Sequence, residues 1–431
     1  MRVAIIADVF PPLRSSGAVQ LRDLSREFAR QGHEVAVLVG SPELAESWHM
    51  EEWNGVRIVR LKTPRTKDVG YVRRALGEFL MPYAMLRALR ASPLSAETWD
   101  GVVWYSPTIF LGPVAKALKN ASGCPGYLII RDIFPEWAVD MGIMGRGLPY
   151  RVFKAVANYQ YSVADIIGVQ TPGNLAYFAA NDSGAGSAKR VEVLHNWLAD
   201  AVDAGCSIAI DKTPLAGRRI FVYAGNMGIA QGMGILLDLA ERLITREDIG
   251  FVFVGRGSDA AKLKADAAAR NIDNVIFYDE IDPDEIAGLY AQCSVGLVAL
   301  DPKHKTHNIP GKFLSYMQAG LPVLASINPG NDLAGLIAEY RVGRACTDNS
   351  ATSLAAMAEE LIASMDEDCG MGIRCKALST KMFAADVAVR KITSAIDYER
   401  QTVLARNAGY THQRGDGDSK EEEAPEYPSK L

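Results

Sequence analysis

The residues best suited to chemistry lie in one stretch, His307-Asn-Ile-Pro-Gly-Lys-Phe-Leu-Ser-Tyr-Met-Gln-Ala-Gly-Leu-Pro-Val-Leu-Ala-Ser326. It reads as a loop, a short helix, a tight turn and a strand. Pro310 suits the first helical turn, where its missing N–H is no loss. Phe313, Leu314 and Met317 give an apolar face at helical spacing. Gly320 suits the position just past the last turn. The N–H groups of Gly311, Lys312 and Phe313 are then expected to point out of the helix start, where the dipole favours an anion. Gly311 admits a ligand close to the backbone, and Lys312 adds a full positive charge. The arrangement suits a diphosphate; an ordinary helix with a good N-terminus is the alternative.

Three other stretches carry groups of the same kind. In Tyr223-Ala-Gly-Asn-Met-Gly-Ile-Ala-Gln-Gly232, Gly225 and Gly228 free the backbone for approach by a phosphate. In Gly255-Arg-Gly257, Arg256 follows an apolar strand and has the forked guanidinium that grips phosphate oxygens; a surface Arg in a tight turn is the alternative. In Arg131-Asp-Ile-Phe-Pro-Glu136, three charges follow a buried strand, which is costly unless they are paired or used. Asp132 and Glu136 could orient or deprotonate a hydroxyl, against the alternative of an Arg131–Asp132 structural pair. No Asp-x-Asp metal site accompanies these loops. Asp282-Pro-Asp-Glu285 reads as a helix N-terminus instead.

The 307–326 stretch resembles the signature of the retaining family 4 glycosyltransferases, which have the GT-B fold, and its Ala319-Gly-Leu-Pro-Val-Leu-Ala325 ending is similar to theirs. Within that family it is similar to bacterial enzymes that build O-antigen or capsule repeat units, including transferases for N-acetyl-L-fucosamine. The resemblance implies that His307, Pro310, Gly311, Lys312, Phe313 and Ser315 contact a nucleotide-sugar donor. His307 and Ser315 stand where many relatives carry glutamates. It implies further donor contacts at Gly17, Asn226, Gly228 and Gln231, with the nucleotide base held near Tyr278, Asp279 and Glu280. Relatives carry basic residues where Asn226 and Gln231 stand here, so Arg256 and Lys312 are expected to neutralise the leaving diphosphate. Asp132 and Glu136 are expected on the acceptor side, and with Arg256 and Lys312 they make up the expected catalytic set. His195-Asn196-Trp197 partly matches a Pro-Asn-Gly type motif, and Asn196 reads as a fastener of the linker backbone.

The activity so implied is transfer, with retention and without metal or cofactor, of a UDP-linked sugar such as an N-acetylamino deoxysugar. The acceptor would be a polyprenyl-diphosphate-linked saccharide. Two other readings stay open: a UDP-sugar 2-epimerase of the same fold, and a non-catalytic binder of glycans or nucleotide sugars. Incubation with donor alone separates them, since an epimerase changes the sugar and a binder does nothing.

These motifs need strands that end together. Apolar runs at Val3–Val9, Glu34–Val39, Val56–Leu61, Gly101–Tyr105, Tyr127–Ile130, Ile166–Gln170 and Val191–His195 alternate with helical patterns such as Ala18–Gln31 and Pro149–Val163. A second series follows at Arg219–Ala224, Phe251–Val254, Val275–Tyr278, Val295–Leu300 and Pro322–Ala325. Strands apolar throughout and separated by helices mean parallel sheets covered on both faces, with ligands at the carboxyl ends. The expectation is an α/β chain of two doubly wound, Rossmann-like domains facing a cleft. They span 1–200 and 218–385, joined by a linker at 201–217, with a long helix near 386–406 that the resemblance sends back to the first domain. The first turn, Asp8-Val-Phe-Pro-Pro-Leu-Arg-Ser-Ser-Gly-Ala18, lacks the three spaced glycines of a dinucleotide site, which argues against an oxidoreductase. Gly17 still permits a close approach.

The 431 residues are 48% hydrophobic and 23% charged, enough for two domains of ordinary size. Six scattered cysteines form no Cys-x-x-Cys pair and read as free thiols. No apolar run approaches the ~20 residues needed to span a bilayer, and the N-terminus lacks the signal-peptide pattern. A cytoplasmic protein with no nucleic-acid partner is expected. Residues 411–431 hold six acids against three bases and read as a disordered acidic tail. Residues 57–90 are the opposite, nine bases against two acids. With Tyr71, Leu76, Phe79, Leu80, Met81, Tyr83 and Leu86, this segment could lie on an anionic membrane surface or pack as a core helix after a basic loop. Pro82 is expected to divide it into two short helices.

Overall fold

The structure is a computed structural model. It describes all residues except 14, 67–68, 182–188, 201–203, 304–308 and 416–431; side chains at 71, 180–181 and 406–415 are also outside the description. In the first domain the strands are β1 Arg2–Ala7, β2 Glu34–Ser41, β3 Trp48–Trp53, β4 Val56–Lys62, β5 Gly101–Tyr105, β6 Gly126–Ile130, β7 Ile166–Val169 and β8 Arg190–Val193. Its helices are α1 Ser16–Arg30, α2 Tyr71–Arg90, α3 Gly112–Ser122, α4 Glu136–Asp140, α5 Leu148–Val163 and α6 Pro172–Asn181. The sheet order is β3-β4-β2-β1-β5-β6-β7-β8. All pairs are parallel except β3–β4.

The second domain holds β9 Arg219–Ala224, β10 Ile249–Val254, β11 Val275–Tyr278, β12 Val295–Ala299, β13 Val323–Ser326 and β14 Gly343–Cys346. They form an all-parallel sheet ordered β11-β10-β9-β12-β13-β14. Its helices are α7 Gly234–Arg242, α8 Ala260–Ala269, α9 Ile286–Tyr290, α10 Gly311–Ala319, α11 Asp332–Tyr340, α12 Ala351–Glu367 and α13 Met371–Leu378. The strand order reverses beside β1 and β5 in one sheet and beside β9 and β12 in the other. Crevices open at those points, at the carboxyl ends of the strands.

The strands pair in this way because their side chains are apolar on both faces. Val3 to Ala7 and Val102 to Tyr105 are almost wholly buried, so each face needs a covering layer. One cover is α14, Ala385–Gly415, which returns to the first domain and packs along α1. Val389, Ile392, Ala395 and Ile396 join the core with Val3, Ile5, Leu21 and Phe28. Each such aliphatic contributes about 2 kcal/mol on full burial. The helix runs into the first residues of the stretch expected to be disordered; the rest of that acidic tail, from 416, lies outside the described residues.

Three details depart from the sequence expectations. β3 and β14 had no counterpart there. β3 is a half-exposed edge strand rich in His49, Glu51 and Glu52, so it shows no apolar run. Asn54 and Gly55, both at positive φ, close it onto β4, the backbone that a two-residue hairpin turn requires. α2 is continuous through Pro82. Pro82 is itself buried, and Met81, Met85, Ala88 and Leu89 pack into the core. That packing offsets the ~3 kcal/mol that an interior proline costs a helix.

Candidate active site

α10 begins at the switch point of the second sheet. Pro310 is its N-cap, with extended backbone, and supplies no capping side chain. It therefore precedes the first turn rather than forming it. Of the three amides expected to be free, that of Phe313 donates to the Pro310 carbonyl at 2.9 Å, which leaves those of Gly311 and Lys312. The Phe313 side chain is fully buried, edge-on to Phe383, so it belongs to the core. His307 lies outside the described residues.

Lys312 has the most informative surroundings. Its ammonium lies 4.6 Å from the centre of the Tyr223 ring, and its chain runs beside Gly225. Among the described residues it has no carboxylate partner. Burial without a counter-charge pulls its pKa down from 10.5 to about 8. A lysine so placed, at a helix start with two open amides, is prepared for an anion.

The Gly225 loop beneath it is shaped by close approach. Gly225 has φ +141°, and a Cβ on Gly255 would come 2.0 Å from its carbonyl oxygen. Asn226 and Gln231 clasp each other across the loop. Asn226 Nδ2 donates to Gln231 Oε1 at 3.1 Å, which also accepts from the Gly228 amide at 3.1 Å. Arg256 turns outward: its side chain is 77% exposed and pairs with Glu280 at 2.9 Å. Asp279 is likewise exposed and paired, with Lys264 at 3.2 Å. The Tyr278 carbonyl accepts from the Gly255 amide at 3.1 Å, which fixes this turn to the sheet.

Ser315, one turn into α10, lines a crevice of about 320 Å³ between the domains. α1 forms its other wall through Val19, Arg22 and Arg26, and Asp284, Ile286 and Tyr290 close the end. Ser315 Oγ donates to the Gly311 carbonyl at 3.4 Å. Gly17, in the first turn of α1, lies over Tyr105, and Ser16 Oγ comes within 3.4 Å of where a Cβ on Gly311 would be. The starts of α1 and α10 thus lie close against each other, beside the crevice.

On the first-domain side, Asp132 lies just past β6, near the Tyr105 hydroxyl. Glu136 is anchored instead. It pairs with Lys154 and accepts from Tyr177 at 2.9 Å and from Tyr150 at 3.4 Å. The alternative of an Arg131–Asp132 structural pair is not seen: Arg131 Nη1 donates to Tyr105 at 2.9 Å. Asn196 does more than fasten a linker, since its Nδ2 donates across the domains to the Ile309 carbonyl at 3.2 Å, directly before α10. The Gly173 amide crosses likewise to Asp332 Oδ2 at 2.7 Å. Neither Tyr105 nor Tyr223 was legible as a site residue, because each reads as the apolar end of a strand.

Two doubly wound domains, with adjoining helix starts beside an interdomain crevice, make a GT-B glycosyltransferase frame. Residues 17–197 match the family described as Glycosyl transferase 4-like domain, and residues 218–364 match Glycosyl transferases group 1. The chain belongs to the family-4-like glycosyltransferases. It is 26% identical over 308 residues to the probable glycosyltransferase WbjE of Pseudomonas aeruginosa, covering 70% of this chain and 74% of that protein. It is 24% identical over 312 residues to the putative colanic acid biosynthesis glycosyl transferase WcaI of Escherichia coli K12, covering 68% and 75%. Its fold is similar to sucrose-phosphate synthase of Thermosynechococcus elongatus, with TM-score 0.70, 15% identity, and coverage of 94% and 99%. It is also similar to Anabaena HepE in complex with UDP and glucose, with TM-score 0.66, 13% identity, and coverage of 92% and 99%.

Proposed function

We propose that this glycosyltransferase moves a sugar from a UDP-linked donor, an N-acetylamino deoxysugar such as N-acetyl-L-fucosamine, to a lipid-linked saccharide in surface-polysaccharide synthesis. Lys312 carries the reading: an enclosed cation with no counter-charge among the described residues, at a helix start near that of α1. The departing diphosphate would lie there, and positive charge already in place lowers the barrier as charge develops on it. The crevice beside Ser315 has room for the nucleoside. The colanic acid name of one relative and the UDP bound in HepE support the substrate class. Transfer with retention follows from the family resemblance.

A membrane-bound acceptor also gives a role to a surface. On α2, Val72, Leu76, Leu80 and Tyr83 are exposed, as are Ile143 and the α5 residues Leu148 and Val152. Phe79, Phe110 and Phe153 join the two helices underneath. Many bases expected to serve this face are already neutralised: Arg57 by Glu97, Arg60 by Glu51, Arg65 by Glu43 and Arg74 by Glu78. Among the described residues, Arg73, Arg87 and Arg90 make no ion pair, and each contributes about 1 kcal/mol near an anionic surface. Among the described residues no helix is long and apolar enough to cross a membrane. The test is a panel of UDP-sugars with and without a polyprenyl-diphosphate saccharide, in anionic vesicles. Acceptor-dependent UDP release from one donor supports the proposal; a changed sugar without acceptor makes the protein an epimerase.

A further inference from the structure

Arg131 is a cation that the donor site does not use. It sits just past β6, half-buried. Its Nη1 donates to the Tyr105 hydroxyl, and its guanidinium lies 5.9 Å from the centre of that ring. Its Nε is buried and has no hydrogen-bond partner. Asp8 and Asp132 lie near the same hydroxyl, and each has partners of its own; among the described residues Arg131 forms no ion pair with either. The guanidinium thus keeps a buried donor unfilled and has no acid in direct contact, and an oxyanion brought by a ligand would fill that donor.

The surroundings point the same way. Tyr105 packs 3.3 Å from the position of a Cβ on Gly17, so Arg131 lies by the start of the 15-residue helix α1. Ser15 caps only the Ala18 amide there, which leaves the Ser16 and Gly17 amides open. Gln20 and Gln170 are 1% and 3% exposed, and both belong to this network: Gln20 accepts from Tyr105 at 3.1 Å, and Gln170 donates to the Arg131 carbonyl at 2.8 Å. Each keeps an unpartnered buried atom, Nε2 of Gln20 and Oε1 of Gln170. The spot therefore offers a charged fork, two open amides and the unpartnered Nε2 donor of Gln20, with the buried Tyr105 hydroxyl holding the fork in place, all on the first domain.

We propose that Arg131, positioned by Tyr105, and the start of α1 form a second oxyanion subsite, distinct from Lys312, for an anionic group of the acceptor. This rests on the glycosyl-transfer reading above. The oxyanion is either the diphosphate of a lipid-linked acceptor or the carboxylate of an acidic sugar within it. Arg131 would fix the acceptor's register, so it is a binding residue for that substrate rather than for the donor.

The test titrates the full chain, saturated with UDP, with inorganic phosphate and separately with acetate. Phosphate is expected to bind beside UDP, and Arg131→Gln to weaken it about tenfold or more, as loss of a charge-assisted contact should. Tyr105→Phe removes the hydroxyl that holds Arg131 Nη1, should weaken binding about fivefold or less, and keeps the test open if Arg131→Gln fails to fold. UDP affinity should stay at the wild-type level in both variants. Preference for acetate also supports the subsite and assigns it to a sugar carboxylate. Exclusion of both anions by UDP, or unchanged binding in both variants, overturns the proposal. Absence of UDP binding instead counts against the donor reading; the same dependence on Arg131 is then read in the unliganded protein.

Discussion

Lys312 and Arg256 both follow strands of the second sheet, and both carry a positive charge toward the same end of it. Their surroundings separate them. Arg256 leans into solvent and meets Glu280, and such an exposed ion pair is worth ~0–1 kcal/mol. Lys312 is enclosed against Tyr223 and meets no acid among the described residues. Position at a strand end is therefore insufficient to assign a phosphate-binding cation. What decides is whether the fold has already supplied a counter-charge.

The largest expected effect breaks that comparison directly. Lys312→Ala should lower turnover by roughly 10²–10³-fold, the effect of removing a key transition-state donor. Arg256→Ala should stay within about threefold, since only an exposed pair is lost. Steady-state rates on one donor and acceptor pair check both. Equal losses in the two variants would return Arg256 to the diphosphate.

The next effect is in pH. The Lys312 pKa is lowered by burial, so its amine loses its proton as pH rises through about 8. A bound diphosphate favours the ammonium and raises the pKa again. UDP affinity should be full below about 8 and fall by up to tenfold per pH unit above it. The unliganded fold has the opposite dependence, gaining stability as pH rises from about 8 toward 10.5, because the unfavourable buried charge is released. Titrations from pH 7 to pH 9.5 on the wild type and on Lys312→Met read the effect, and a wild-type affinity that does not vary with pH refutes it.

The smallest expected effect concerns Ser315. Its hydroxyl reaches only the Gly311 carbonyl and the crevice. Ser315→Glu should fold and keep UDP affinity or tighten it by up to about tenfold, as a charge-assisted bond to a ribose hydroxyl would. A weakening of that size places the ribose elsewhere.

The sheets were legible because β1, β5, β9 and β12 are apolar on both faces, a pattern that few other elements share. β3 was not, since four of its six residues are exposed and none is buried, although Asn54-Gly55 marks its turn. Gly225, Gly311 and Lys312 stood out because backbone approach and helix starts leave marks in local sequence. Partnerships leave none. Glu136 looked free to act on an acceptor, yet Lys154 and Tyr177, 18 and 41 residues further on, hold it. Asn226 and Gln231 looked like missing cations and are a mutual clasp. Such pairings depend on which helices the sheet order brings together, and short motifs do not encode that.

The central claim, that Lys312 and the start of α10 hold a nucleoside diphosphate, is tested most directly by calorimetric titration of UDP, UMP and uridine into the wild type and Lys312→Met. The account predicts that the wild type prefers UDP to UMP and uridine, and that the variant loses this preference while still binding uridine as before. A preference for UDP that survives in Lys312→Met would contradict it.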